Sequence, residues 1–356
     1  MHVPGIVIET LSQSGLTSQS SPNSQSGPVA RSGAIDAVRL LGIVAVVAGH
    51  TLSSPLIRPL LYSWHVPLFF FLSGYLWSHR RTLKVEFTKK FRSLGLPYLT
   101  WIVLIAVPFI VLDATLEPFS APRLLGPVYN GTMSAMPFTT FWFVSALFAT
   151  VVLLRLLWRL PRPIVWGIAV GGMIVAYYAG NLLAQTPLSI GSALPCLFFV
   201  LCGTLASRLR ANITRPLLIG CLLLGGALTL IAMGYSAPLD IKAGNYGTPV
   251  VSAFVAVAIS FALVLVAEAL FSHIPVRVGQ VVTRLATAGF VIVLIHPLVL
   301  WILLRFGGPV PDWAIFVVAL GAPCVVGQLV TRTRASAWLT GTERPQVRPR
   351  ELVHSS

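Results

Sequence analysis

Asp36, Arg39 and His50 occur along one stretch, I-D-A-V-R-L-L-G-I-V-A-V-V-A-G-H, whose remaining residues are almost all apolar. A helix advances about 1.5 Å and 100° per residue, so the three side chains fall near one face, with Arg39 and His50 about 16 Å apart along the axis. Two readings fit the charged pair: Asp36 caps the helix start and Arg39 snorkels to an interface, or both serve a site. No interfacial role suits a histidine so much deeper in the apolar run, and such groups normally face a protein-lined cavity. A largely neutral imidazole there could take the proton of an attacking hydroxyl, which makes His50 a candidate general base.

Other chemistry-bearing residues lie downstream. Six basic residues crowd positions 80–92, ending in K-V-E-F-T-K-K-F-R before Gly95-Leu96-Pro97-Tyr98. Membrane topology alone accounts for such a run, but its density also suits a bound polyphosphate. His65 sits beside Trp64 in Y-S-W-H-V-P-L-F-F-F-L-S-G-Y-L-W, either as a polar member of an interfacial aromatic belt or as an acceptor-side residue able to approach His50. In Ile295-His296-Pro297 the proline frees the carbonyl of Val293 and kinks a helix. His296 then either satisfies the loosened backbone or lines a cavity opposite His50. Phe141-Trp142-Phe143 reads as a belt or as an aromatic wall for a sugar ring. Glu268 is an acid inside an apolar run, suited to pairing with a basic loop residue.

The elements that must hold these residues are set by the solvent. With 56% hydrophobic and only 10% charged residues and a mean hydropathy of +0.84, the 356-residue chain reads as an all-α polytopic membrane protein. Apolar segments at about 36–54, 62–78, 94–112, 140–158, 163–180, 190–206, 215–235, 249–271, 285–305 and 312–331 predict a bundle of about ten transmembrane helices. With the N-terminus and C-terminus cytoplasmic, 21 of the 25 lysines and arginines fall on the inner face, leaving Arg58, Arg123, Lys242 and Arg305 outside. The net charge of +15 then follows from orientation and anionic lipid, not from nucleic acid.

Residues 1–32, rich in Ser, Gln, Gly and Pro and lacking a signal-peptide core, read as a disordered cytoplasmic tail. Residues 33–331 form the membrane domain and 332–356 a basic cytoplasmic tail. The Pro- and Gly-rich outer connections, about 113–139 and 236–248, suit a cover over an outward opening. Cys196, Cys202, Cys221 and Cys324 lie in apolar runs without C-x-x-C spacing and read as packing residues, with no metal site implied. G-x-x-x-x-G-K-[ST], G-x-G-x-x-G, G-x-S-x-G and H-E-x-x-H are all missing, which removes support for ATP-driven transport, dinucleotide chemistry, a nucleophile elbow and zinc proteolysis.

In order along the chain, I-D-A-V-R-L-L-G-I-V-A-V-V-A-G-H, H-V-P-L-F-F-F-L-S-G-Y-L-W, the basic run leading to L-P-Y, F-W-F-V-S-A-L-F and V-L-I-H-P-L-V-L resemble the membrane-bound acyltransferase-3 family over roughly residues 33–331. That family includes O-acetylases of surface polysaccharides and fucose-type sugars. The resemblance implies a multi-pass plasma-membrane O-acyltransferase, with acetyl-CoA or another acyl-CoA as co-substrate, no permanently bound cofactor, and a glycan, glycolipid or glycosylated small molecule as acceptor. By it, His50 matches the catalytic histidine and Arg39 the essential arginine, with Asp36 organising Arg39. Arg39, Lys89, Lys90 and Arg92 would hold the donor phosphates; the family's R-x-x-R element is matched only loosely by K-K-F-R, and lysine does not reproduce arginine's bidentate grip. His65, Trp142 and His296 would lie on the acceptor side of the cavity. Two readings without acyl transfer stand beside this one: a secondary transporter, which would also use a buried histidine and a broken helix, and a structural membrane partner, which leaves His50 unexplained.

Overall fold

The computed structural model describes residues 28–113, 132 and 135–342, with side chains from 33 onwards. Most of the expected N-terminal tail, of the outer connection 113–139 and of the basic C-terminal tail lies outside the described residues. Helix α1 (Pro28–Thr51) begins before the predicted start near Gly33. It is followed by α2 (Ile57–Tyr62), α3 (His65–Tyr75), α4 (Leu83–Lys90) and α5 (Leu96–Asp113), then α6 (Phe141–Leu157), α7 (Arg162–Ala184) and α8 (Ala193–Leu209). The chain continues through α9 (Pro216–Ala232), α10 (Val251–Phe271), α11 (Val276–Thr287), α12 (Gly289–Phe306), α13 (Asp312–Val330) and α14 (Ser336–Thr340). The described residues contain no β-strand.

Each of the ten apolar segments folds as a helix, and among the described residues seven helices are long and apolar enough to cross a membrane. Of the other three apolar segments, α6 and α9 have 17 residues each and α3 has 11. Eleven residues rise about 16 Å, roughly half of a hydrocarbon core. Apolar composition marked segment 62–78 as a span. The turn at Ser63 and Trp64, which sets off α2, and the helix end at Leu76 shorten it.

The connections alternate between two ends of the bundle. At one end Ser53 N–H donates to Asp312 Oδ2 over 2.8 Å, Arg58 pairs with Asp240 at 2.7 Å, and Lys242 donates to Thr139 Oγ1. At the other, Arg155 reaches Ser78 and Glu86, Arg210 pairs with Glu268, and Gln328 donates to the Arg284 carbonyl. Glu268 thus finds the basic partner expected of it, and also accepts from Tyr75 Oη at 2.9 Å. Between α4 and α5 the backbone makes a π-helical turn over Phe91–Gly95, with Leu96 N–H bonded to the Phe91 carbonyl. Pro97 has no N–H for the Ser93 carbonyl, so the ordinary i→i−4 ladder cannot run through this point.

Two elements were not foreseen. Helix α11 lies along α1, where Gly279 meets Gly33, and leaves Val276, Val278 and Val281 exposed, the pattern of a helix resting in a membrane interface. The region expected as a C-terminal tail starts with a folded piece: Leu339 of α14 accepts a 2.8 Å bond from Trp101 Nε1, and Ser336 and Thr340 are buried.

The core is densest where α3 crosses α8. A Cβ on Gly74 would lie 1.8 Å from the Val200 carbonyl oxygen, and one on Gly203 2.0 Å from that of Phe71. Without side chains these two helices approach backbone to backbone, as membrane helices do at small residues. Cys196 and Cys202 pack in the same buried helix. Gly203→Ala is therefore expected to destabilise the protein by at least the ~1–3 kcal/mol of an overpacked core, read as a lowered Tm in detergent. Gly167→Ala, with nothing within 4 Å of its Cβ, should leave Tm unchanged. Equal Tm values for both variants would refute the close crossing.

Candidate active site

His50 is the penultimate residue of α1, at the end of the bundle where α2, the 239–242 segment and the start of α6 converge. Glycine at 49 makes room for Tyr62, whose hydroxyl donates to the Gly49 carbonyl at 3.4 Å and whose ring a Cβ there would meet at 3.1 Å. Thr51 Oγ1 donates back to the Val47 carbonyl one turn earlier, so its hydroxyl is satisfied within α1.

His65 opens α3 and is buried. A carbonyl only accepts, so the 2.7 Å contact between His65 Nδ1 and the Leu61 carbonyl makes Nδ1–H the donor. Its ring meets Tyr62 edge-on, with centroids 4.8 Å apart. His296, on α12, is wholly buried, and its Nδ1–H likewise donates to the Ile292 carbonyl at 2.9 Å. Pro297 withholds an N–H from Val293, and Thr140 Oγ1 supplies the missing bond to that carbonyl over 2.8 Å. The turn of α12 that bears Pro297 is thereby fastened to the start of α6. The rings of His50 and His296 face each other with centroids 5.5 Å apart and planes inclined by 38°.

These residues surround a cavity of about 210 Å³. Tyr62, Trp142, Phe69 and Phe143 supply aromatic walls; His50, His65, Thr139, Thr140, Asp240 and Lys242 supply polar groups. The segment from Leu239 to Lys242 closes one side: Leu239 N–H donates to the Tyr62 carbonyl, and Asp240 accepts from Arg58. Burial lowers the Lys242 ammonium below the ordinary lysine range, and the neighbouring Asp240 carboxylate opposes that shift. Below the cavity, the Phe69 and Phe143 rings meet edge to face at 5.4 Å, and Phe69 and Leu68 press on Gly42 of α1.

The basic end is separate. Arg39 Nη1 pairs with Asp36 Oδ1 at 3.0 Å, and the charges of Arg39, Lys89, Arg81 and Glu86 all act on Lys90. Lys84, Lys89 and Arg92 instead line a second cavity of about 480 Å³ beside Ser93 and Gly341. No residue is shared by the two cavities.

The structure therefore brings His50, His65 and Trp142 around one cavity and sets His296 against His50 without exposing it there. Asp36 and Arg39 stay away from the cavity, about 21 and 16 Å before His50 along α1. Of the basic run, Lys89 and Arg92 share a cavity that Lys90 does not line. The belt reading of Phe141-Trp142-Phe143 is corrected: Phe141 and Trp142 are buried in the protein, because α6 starts inside the bundle and not at a lipid boundary. Sequence reasoning did not assign Tyr62, Thr139, Thr140, Asp240 or Lys242 to the site. One signal was available for Lys242, a lone basic residue in an outer connection.

Chemically, the cavity offers an imidazole next to hydrogen-bonding and aromatic surfaces, the combination that orients a polyhydroxyl ring and removes a proton from it. Among the described residues no three His, Cys, Asp or Glu side chains gather to hold a metal. Residues 32–332 match a family model described as an acyltransferase domain. Nodulation protein NolL of Mesorhizobium japonicum is 32% identical over 132 residues, which cover 36% of this chain. The match covers 33% of that protein, so the chain spans about a third of the length of the curated relative it matches. No solved structure matches.

Proposed function

The chain belongs to the acyltransferase-3 family, and from that premise we propose that it moves an acyl group from cytoplasmic acyl-CoA to a hydroxyl of a glycan, glycolipid or glycosylated small molecule, with His50 as general base. The observation that carries this reading is the cavity at the His50 end of α1, lined by both polar and aromatic side chains. Its volume suits one sugar ring, and Trp142 and Tyr62 offer the flat apolar faces such a ring packs on.

The basic end faces the cytoplasm in this reading, as the placement of 21 of 25 basic residues supports. Both termini then lie inside the cell and the protein is a multi-pass protein of the plasma membrane. Lys89 and Arg92, with Lys84, receive the nucleotide phosphates of the donor, and Arg39, ordered by Asp36, guards the adjoining entry. The pantetheine arm extends along the protein interior towards His50, passing the Phe69 and Phe143 rings, whose side-chain rotation opens the floor of the cavity. His50 takes the proton of the acceptor hydroxyl as its oxygen attacks the thioester carbonyl. Collapse of the tetrahedral intermediate breaks the C–S bond, and the imidazolium returns the proton to the departing thiolate. The products are the acyl ester and free CoA thiol, so no redox partner or permanent cofactor enters.

Purified protein given labelled acetyl-CoA is expected to release CoA thiol and label the acceptor only when a glycoside acceptor is present. Vesicles that accumulate solute without consuming acyl-CoA would overturn the reading. The Lys89→Ala, Arg92→Ala double variant should raise the KM for acyl-CoA about tenfold or more, with kcat little changed, since each lost charged contact removes about 1.5–3 kcal/mol of binding. An unchanged KM would remove these residues from the donor site.

A further inference from the structure

His296 is a wholly buried titratable group that the reaction above leaves without a task. Its Nδ1–H is committed to the Ile292 carbonyl, which leaves Nε2 as the ring's other hydrogen-bonding atom. Nε2 is fully buried and has no hydrogen-bond partner among the described residues. An orphaned polar atom in a core demands an explanation. Across from it stands His50, whose ring centre is 5.5 Å away and whose nitrogens make no hydrogen bond among the described residues. At that separation a small rotation of either side chain brings facing nitrogens to hydrogen-bonding distance.

We propose that His296 is a positioning residue: its Nε2 accepts a hydrogen bond from one ring N–H of His50, which turns the other, unprotonated nitrogen of His50 towards the cavity and the acceptor hydroxyl. The inference rests on the reading of His50 as the base. The proton count is simple. His50 carries one N–H towards His296 throughout and gains the hydroxyl proton on its cavity-facing nitrogen, so the imidazolium keeps its bond to His296 until the second proton leaves with the thiolate. His296 never exchanges a proton with substrate, because its Nδ1–H remains on the Ile292 carbonyl. The rigidity comes from the hydrogen bond that replaces the one missing at Pro297. Thr140 holds the Val293 carbonyl freed by Pro297, and so keeps the turn bearing His296 at a fixed height beside the last turn of α1.

Two substitutions separate the roles of the two nitrogens. In His296→Gln the amide reaches the place of Nε2 and can accept; in His296→Asn it reaches only the place of Nδ1 and can keep the Ile292 contact. Measured on the purified full chain with labelled acetyl-CoA and a glycoside acceptor, His296→Gln should retain kcat within about threefold, and His296→Asn should lose about 10²-fold in kcat, the scale of a misplaced catalytic group. The KM for acyl-CoA should stay unchanged in both. Should the Asn variant fail to fold by its Tm in detergent, His296→Met, similar in length to Gln but without an acceptor of comparable strength, takes its place. Retention of activity by Asn or Met, or equal loss in Gln and Asn, overturns the pairing. His50→Ala run in parallel separates the failures: an active His50→Ala protein defeats the base itself, whereas an inactive one beside a fully active His296→Asn defeats only the positioning.

Discussion

His50→Ala is expected to lower acyl transfer by about 10²- to 10⁴-fold, the usual contribution of a positioned general base. The loss should fall on kcat. In the proposed mechanism Lys84, Lys89 and Arg92 recognise the donor, and none of them lines the cavity of His50, so the KM for acyl-CoA should hardly move. Stability should hardly move either, because His50 is only half-buried in the final turn of α1 and makes no side-chain hydrogen bond among the described residues. Labelled acetyl-CoA turned over by membranes carrying the variant, with thiol release and acceptor labelling followed together, measures both parameters. Transfer at the unsubstituted rate would end the case for His50 as base, and with it the role given to His296.

Glu86→Ala is expected to be the most destabilising of the single substitutions considered. Glu86 is 1% exposed and Arg155 5% exposed, and their charged groups meet at 2.9 Å. The Arg155 guanidinium also donates to the Ser78 carbonyl at 2.7 Å and stacks over Trp77 at 3.9 Å. Removing the carboxylate leaves a buried cation without its counter-charge, at a cost of about 3–5 kcal/mol. The contact with Arg81 at 3.4 Å adds little, since that side chain is partly solvated. Because the pair clamps α4 against α6, loosening it also frees the helix that carries Lys84 and Lys89, and donor KM should rise along with the fall in Tm. The double variant Glu86→Leu, Arg155→Met should recover much of the stability, since two apolar residues of similar volume leave no charge to solvate. A mutant cycle on Tm in detergent tests this: additive losses in the double variant would show that the two groups are not coupled.

Ten apolar stretches were legible in the sequence because lipid demands continuous helical runs, but not the short lengths of α3, α6 and α9, which turns and neighbouring helices set. The 3.6-residue period placed Asp36, Arg39 and His50 on one face of α1, and the spacing already separated them into two ends. What a helical wheel cannot tell is which neighbour meets that face. Phe141 and Trp142 looked like interfacial aromatics because an aromatic triplet at a helix start reads the same whether lipid or protein surrounds it. Lys90 and Lys89 read as one cluster, but a step of 100° along α4 leaves only Lys89 lining the basic cavity.

By itself the sequence determined the membrane solvent, the helical class, the polarity of charge between the two ends and the identity of the histidine on α1, all of which follow from local composition and periodicity. Tertiary structure alone decided that His65, Trp142, Thr139 and Lys242 share a cavity with His50, and that His296 stands 5.5 Å from it. Those encounters depend on how Gly42, Gly74 and Gly203 let helices approach and on where Thr140 holds the Val293 carbonyl beside Pro297. They are long-range packing outcomes, and no short stretch of chain encodes them separately.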